Sequence, residues 1–184
     1  MILINHFLTT RRADNLFQWA VCGISWKQEQ ISMFGKRIAT PRLIAWFGDP
    51  GCVYRYSGIE HKAHGWPAPL TSLKKDISIR FGASVNFVLL NFYRDGDDYM
   101  GWHSDDEPEM KDPVISLSLG CDRDILVRRY EEKSAKRILL RHGSLFVHDC
   151  QLKHSIPKRK NVKEKRVSMS FRSISADGNL CKGL

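Results

Sequence analysis

His103 and Asp105 stand two residues apart in Trp102-His-Ser-Asp105, and a further histidine, His154, follows 49 residues after Asp105. In extended backbone, residues i and i+2 project from one face, so this imidazole and carboxylate can reach a single ion together. His154 comes soon after a strand-like run at 144–147 and can close the set. Two imidazoles and one carboxylate on one face hold a divalent metal and leave its other positions open, the ligand arrangement of non-haem Fe(II) oxygen chemistry. The remaining histidines (His6, His61, His64, His142 and His148) have no such neighbour and read as structural or surface groups.

A second constellation lies in Arg166-Val-Ser-Met-Ser-Phe-Arg172. As a strand it puts Arg166, Ser168, Ser170 and Arg172 on one face and Val167, Met169 and Phe171 on the other. Two arginines on an inner face of small hydroxyl residues are costly unless anions meet them. Six residues of strand span about 20 Å. If each guanidinium reaches inward by about 6–7 Å, the gap left is about 6–8 Å, the length of a five-carbon dicarboxylate. Asn91 and Tyr93 also share one face and offer an amide and a phenol to the same ligand.

These side chains need a scaffold of strands. Residues 10–21 read as a helix with Leu16, Trp19 and Ala20 on one side. A second helix is marked by Leu70, Leu73, Ile77 and Phe81, with Pro67 and Pro69 at its start and Gly82 as its stop. Short β-rich runs fall at 43–47, 53–56, 85–93, 114–119, 125–127, 138–140, 144–147 and 167–174, separated by Gly, Asp, Asn or Pro. Many short strands with helices gathered toward the N-terminal side predict a mostly β, α+β fold: an antiparallel sandwich or barrel backed by helices. No linker divides the chain, so residues 1–184 read as one domain.

The net charge of +9 conceals an asymmetry. Residues 95–112 carry eight acids against Lys111 alone, a local −7 that leaves +16 elsewhere. The densest basic stretch runs from Lys153 to Arg166, close to the ligands above. A basic body around an acidic cluster suits a polyanionic partner plus a cation site; a basic surface with one acidic loop is the plainer alternative. No apolar run approaches the ~20 residues of a membrane span. The first eight residues lack the basic start and cleavage site of a signal peptide. Five scattered cysteines fit neither a disulfide framework nor a zinc knuckle. The expectation is a cytoplasmic protein, nuclear in a eukaryote, and a monomer.

Read together, Asn91-Phe-Tyr-Arg-Asp-Gly96, Trp102-His-Ser-Asp-Asp-Glu107, Ser116-Leu-Ser-Leu-Gly120, His142-Gly-Ser-Leu145, His154-Ser-Ile-Pro157 and the strand from Arg166 to Arg172 resemble the AlkB family of Fe(II)/2-oxoglutarate dioxygenases. The resemblance spans about 34–174, in family order, and leans toward members that repair alkylated DNA, the duplex-acting type among them. It implies a double-stranded β-helix (jelly roll) core over about 85–174 and a nucleotide-recognition lid over about 28–66. Carried over, His103, Asp105 and His154 are the catalytic iron ligands. Arg166 with Tyr93 would hold the distal carboxylate of 2-oxoglutarate, Arg172 with Asn91 the carboxylate beside the metal, and Ser170 sits near the cosubstrate. On the substrate side fall Phe34, Arg42, Tyr54, Tyr56, Ser57, Asp106, Glu107, Lys158, Arg159 and Lys160.

Within that reading Tyr56 stacks on an extruded base, with Tyr54 and Ser57 beside it, while Asp106 and Glu107 accept from an exocyclic amine such as adenine and cytosine share. Phe34, at the tip Met33-Phe-Gly-Lys36, acts as an apolar wedge in the base stack. Lys158, Arg159 and Lys160 touch phosphates. The implied reaction turns 2-oxoglutarate and O2 into succinate and CO2 while an N-methyl group on 1-methyladenine or 3-methylcytosine in DNA is hydroxylated and lost as formaldehyde. Two alternatives share these residues: the same chemistry on RNA or a protein, and a non-catalytic nucleic-acid-binding barrel.

Overall fold

The computed structural model describes residues 1–33, 36–56 and 58–175, without the side chains of Ser32, Met33, Lys36, Tyr56 and Asp112. In chain order the elements are β1 (Ile2–Ile4), α1 (Thr10–Gly23), β2 (Gln30–Met33), β3 (Lys36–Ala39), β4 (Leu43–Gly48), β5 (Val53–Tyr56), β6 (Ile59–Lys62), α2 (Ala68–Phe81), β7 (Phe87–Tyr93), β8 (Met100–His103), β9 (Met110–Gly120), β10 (Arg123–Arg128), β11 (Lys136–Leu140), β12 (Leu145–His148), β13 (Lys153–Ile156) and β14 (Arg166–Ile174). Both helices form where their apolar spacing predicts. Thr9 caps α1 by accepting from the Arg12 amide at 3.4 Å. α2 opens at Pro67 and stops at Gly82, whose φ of +62° is the left-handed cap that favours glycine.

The strands build two antiparallel sheets. The larger runs β1-β12-β9-β14-β7-β4 and the smaller β11-β10-β13-β8. They face each other across a cluster joining Tyr93 and Phe146 of the large sheet to Ile125, Val127, Leu140 and Ile156 of the small one. Helices cover the opposite face of the large sheet: Leu16 and Ala20 of α1 and Leu70, Leu73 and Ile77 of α2 pack on Val88, Leu90, Leu117, Val167, Met169 and Phe171. This is the helix-backed antiparallel sandwich that the residue pattern predicts, in the jelly-roll form that the family resemblance implies.

β14 shows why the fold works. It lies between β9 and β7, and all nine of its residues are buried. Its apolar face goes to the helices, where each large side chain contributes about 1.5–3 kcal/mol by leaving water. Its other face, with Arg166, Ser168, Ser170 and Arg172, therefore has to look toward the small sheet. Two hairpins complete the molecule, β2–β3 and β5–β6. The register pairs Met33 with Lys36; Phe34 and Gly35 between them lie outside the described residues.

The reading of strands misses β1, β2, β3, β6, β8 and β13, each only three or four residues long. Segments so short carry too few alternations to stand out, and pairing with a neighbour makes them strands. The clearest test of the core is Leu117, fully buried on β9 opposite Met169 and Leu145. Leu117→Ala is expected to cost about 2–5 kcal/mol, read as a lower urea midpoint at unchanged slope.

Candidate active site

Pairing of two short strands brings the histidines together. His103 ends β8 and His154 lies directly opposite it on β13, with ring centroids 4.1 Å apart. Each ring is oriented by the backbone: Nδ1 of His103 donates to the Gly101 carbonyl and Nδ1 of His154 to the Leu152 carbonyl, both at 2.9 Å. A carbonyl only accepts, so the proton sits on Nδ1 and the Nε2 lone pair is left for a metal. Asp105, just past β8, is anchored by its own amide, which donates to the Cys150 carbonyl at 3.0 Å. One ligand atom each from His103, Asp105 and His154 lies within 4.8 Å of the others. The three atoms border a space that one ion can share, drawing them together through bonds of about 2.0–2.2 Å.

Charge prepares the same three groups. Asp105 is 2% exposed, and Arg172 Nη2 donates to its Oδ1 at 3.0 Å. Burial works against the carboxylate, but the Arg172 guanidinium, then His154 and His103, hold its pKa well below the usual carboxylate range. Burial, reinforced by His154, pushes His103 down to about 4. Asp105 thus stands as a carboxylate and His103 as a neutral imidazole, the forms a metal needs.

The arginine face supplies the rest. Arg172 Nη1 donates to the Tyr54 hydroxyl at 2.6 Å. Arg166 is 1% exposed; its Nη2 donates to Ser118 Oγ at 3.1 Å, and its Nε and Nη1 have no hydrogen-bond partner among the described residues. The Tyr93 ring lies 5.1 Å beneath it. A buried cation with two uncommitted donors on an inner face is chemically matched to a carboxylate, so the residues present fit a dicarboxylate beside the metal. Asn91, Tyr93, His103, Asp105, His154, Arg166, Ser170 and Arg172 all line one cavity between the sheets. Asn91 Oδ1 accepts from Arg42 Nε at 2.7 Å, and Ser170 Oγ lies 3.0 Å from Ser116 Oγ.

The substrate-side residues are placed less uniformly. Tyr54 is fully buried, its hydroxyl committed to Arg172, and Arg42 is buried against Asn91. Asp106 is exposed. Glu107 is half-buried, with Oε2 lacking a partner among the described residues, and burial raises its pKa. Lys158, Arg159 and Lys160 are exposed on the β13–β14 loop, which is held to the 95–98 loop by Arg159 N–H to Gly96 O at 2.7 Å and Gly96 N–H to Val162 O at 2.9 Å. A Cβ on Gly96 would run into the Arg159 carbonyl. Phe34, Ser57 and the Tyr56 side chain lie outside the described residues.

Sequence reasoning overlooks two groups. Arg123, 1% exposed, donates to the carbonyls of Asp95, Asp98 and Pro157 and pins the 95–98 loop to the start of the β13–β14 loop. Its alternation with Ile125 and Val127 marks it as inward-facing. His148 lines the metal cavity, its ring centroid 4.8 Å from that of His154. The run at 144–147 stops one residue short of it, although i+2 spacing from Phe146 puts it on the inner face.

This cavity sets a three-residue metal-ligand group beside a buried arginine within a two-sheet frame, and the chain belongs to the 2OG-Fe(II) oxygenase superfamily, whose family profile matches residues 1–172, as a member of the AlkB family. Among its relatives are the DNA oxidative demethylase ALKBH2 of Bos taurus and of Homo sapiens, each 35% identical over 159 residues. Those alignments take in 79% of this chain and 57% and 61% of the relatives. The Alpha-ketoglutarate-dependent dioxygenase alkB homolog 3 of Rattus norvegicus is 32% identical over 186 residues, 93% of this chain and 63% of that protein. The chain therefore spans about six-tenths of the length of these relatives. Membership implies Fe(II), 2-oxoglutarate and O2. Among the described residues no helix is long and apolar enough to cross a membrane.

A pH test follows from the buried imidazoles. His103 and His148 both titrate near 4 in the fold, depressed by burial and then by His154, against 6.5 when free. As pH falls from about 6.5 to about 4 the unfolded chain takes up protons that the folded one refuses, so stability is lost across that window. Asp105 acts lower, its contribution fading only below the unfolded carboxylate range near ~4. The melting temperature of the metal-free protein is expected to fall steadily from pH 7 to 4.5; a level profile would contradict the burial assigned to these rings.

Proposed function

We propose that this chain is an oxidative demethylase of N-alkylated bases in DNA, acting on 1-methyladenine and 3-methylcytosine. The observation that carries the reading is the single cavity in which the His103, Asp105 and His154 ligands sit beside the buried, under-partnered Arg166. The printed names of the bovine and human relatives, DNA oxidative demethylase, support the substrate class. When bound, iron with 2-oxoglutarate and O2 supplies C–H hydroxylation, one oxygen atom going to the methyl group and the other to succinate as CO2 leaves.

The chain's own residues then have separable tasks. Arg166, seated on the Tyr93 ring, grips the distal carboxylate of 2-oxoglutarate. Arg42, by donating to Asn91 Oδ1, fixes the flip of that amide and leaves Nδ2 as a donor for the proximal carboxylate, which Arg172 also serves. Ser170 packs beside the cosubstrate.

Residues of the 28–66 segment form the lid over the flipped base, with Tyr56 stacking, Tyr54 and Ser57 lining the pocket and Phe34 filling the gap in the duplex. Glu107, with its uncommitted buried Oε2, and the neighbouring Asp106 accept from the exocyclic amine. Lys158, Arg159 and Lys160 hold phosphates and give binding a dependence on salt. The protein works as a monomer where DNA is kept, in a bacterial cytoplasm or a nucleus.

The deciding experiment measures formaldehyde from oligonucleotides carrying 1-methyladenine or 3-methylcytosine, single- and double-stranded, beside RNA oligomers of the same sequence. Release from DNA that requires both Fe(II) and 2-oxoglutarate is expected; absence of release sinks the reading, and faster release from RNA moves the substrate. Arg166→Ala is expected to weaken 2-oxoglutarate about 10- to 100-fold by calorimetry on the Mn(II)-loaded protein, with little change in affinity for oligonucleotides. Parallel losses in both affinities would remove Arg166 from its role.

A further inference from the structure

The metal cavity contains a third imidazole that the ligand set does not use. His148 closes β12, is 3% exposed, and faces inward beside Phe146, their ring centroids 5.3 Å apart. Its Nδ1 donates to the Asp149 carbonyl at 2.8 Å, the same backbone device that orients His103 and His154. The proton is thereby held on Nδ1, which leaves Nε2 as the nitrogen with a lone pair to offer. The His148 and His154 centroids are 4.8 Å apart. Two imidazoles bound side by side to one ion through bonds of about 2.0–2.1 Å place their ring centres about 4.5–5 Å apart, so the spacing is that of neighbouring ligands. Yet His148 stands outside the tight group made by the other three ligand atoms. The ion's own preference is left to decide whether it is recruited.

We propose that His148 sets the metal selectivity of this centre: an ion that favours nitrogen, such as Ni(II) or Cu(II), takes its Nε2 as a third imidazole, whereas Mn(II) is held by His103, Asp105 and His154 alone. Imidazole suits the late first-row ions, and affinity for nitrogen sites rises from Mn(II) to Cu(II). A third ring deepens that bias, and a centre working with Fe(II) then depends on metal supply to exclude Ni(II) and Cu(II). The inference rests on the metal-centre reading above, and its test separates the two.

Metal-free wild type, His148→Gln, His148→Ala and His103→Ala are titrated with Ni(II) and with Mn(II) by calorimetry, and Cu(II) complexes of the wild type and His148→Gln are examined by electron paramagnetic resonance. Both His148 variants are expected to lose Ni(II) affinity about 10- to 100-fold while Mn(II) affinity changes by less than about 3-fold. The Cu(II) spectrum is expected to show three coupled nitrogens in the wild type and two in His148→Gln. His148→Gln keeps most of the side-chain volume, and the wild-type spectrum needs no variant to fold. Two nitrogens in the wild type, unchanged Ni(II) affinity, or equal losses for both ions would overturn the assignment. If His103→Ala still binds Mn(II) as the wild type does, the metal-centre reading itself falls.

Discussion

The ion pair between Arg172 and Asp105 joins the central strand of the large sheet to the loop that carries the carboxylate of the metal site. Both side chains are nearly inaccessible, so neither charge is tolerable alone, and removing one partner from such a pair typically costs about 3–5 kcal/mol. The pair therefore constrains more than a distance. It keeps Asp105 ionised despite burial, and it ties the ligand loop to a strand that is hydrogen-bonded on both sides. Arg172 reaches further, to the Tyr54 hydroxyl, and so links β5 to the same point.

The polar interior follows from the apolar exterior. Val167, Met169 and Phe171 are taken by the helices, so alternation turns Arg166, Ser168, Ser170 and Arg172 toward the small sheet. β9 repeats the pattern, with Ser116 and Ser118 on the same side. An inner face of hydroxyls and guanidiniums packs poorly as a hydrophobic core but well around a small anion beside a cation. The small sheet contributes the opposite wall through the paired His103 and His154.

The segment bearing β5 and β6 is tied to the core by polar contacts as well as by packing. His61, fully buried on β6, shares a 2.7 Å contact with Glu29 and packs edge-on against Trp46 at 4.5 Å. At the other rim, Arg123 gathers three carbonyls and holds the loop from which the exposed Lys158, Arg159 and Lys160 project. A two-sheet frame thus carries an exposed basic loop at the rim of the cavity that holds His103, Asp105 and His154.

What the residues alone determine is chiefly what period and chemistry determine. The two helices, the long strands and the inward face of Arg166 to Arg172 are legible because burial on one side imposes a repeat that the sequence must carry. The His103–Asp105 pair is legible because i+2 spacing is local. What only the tertiary structure decides is anything resting on register between distant strands. His154 meets His103 through β13, a four-residue strand too short to announce itself. His148 enters the cavity because β12 runs one residue beyond its apolar stretch, Arg42 finds Asn91 across 49 residues of chain, and Tyr54 turns inward to a guanidinium rather than outward. No local pattern encodes those meetings, since each depends on which strands pair and on which residues then share a buried space that must balance its own charge.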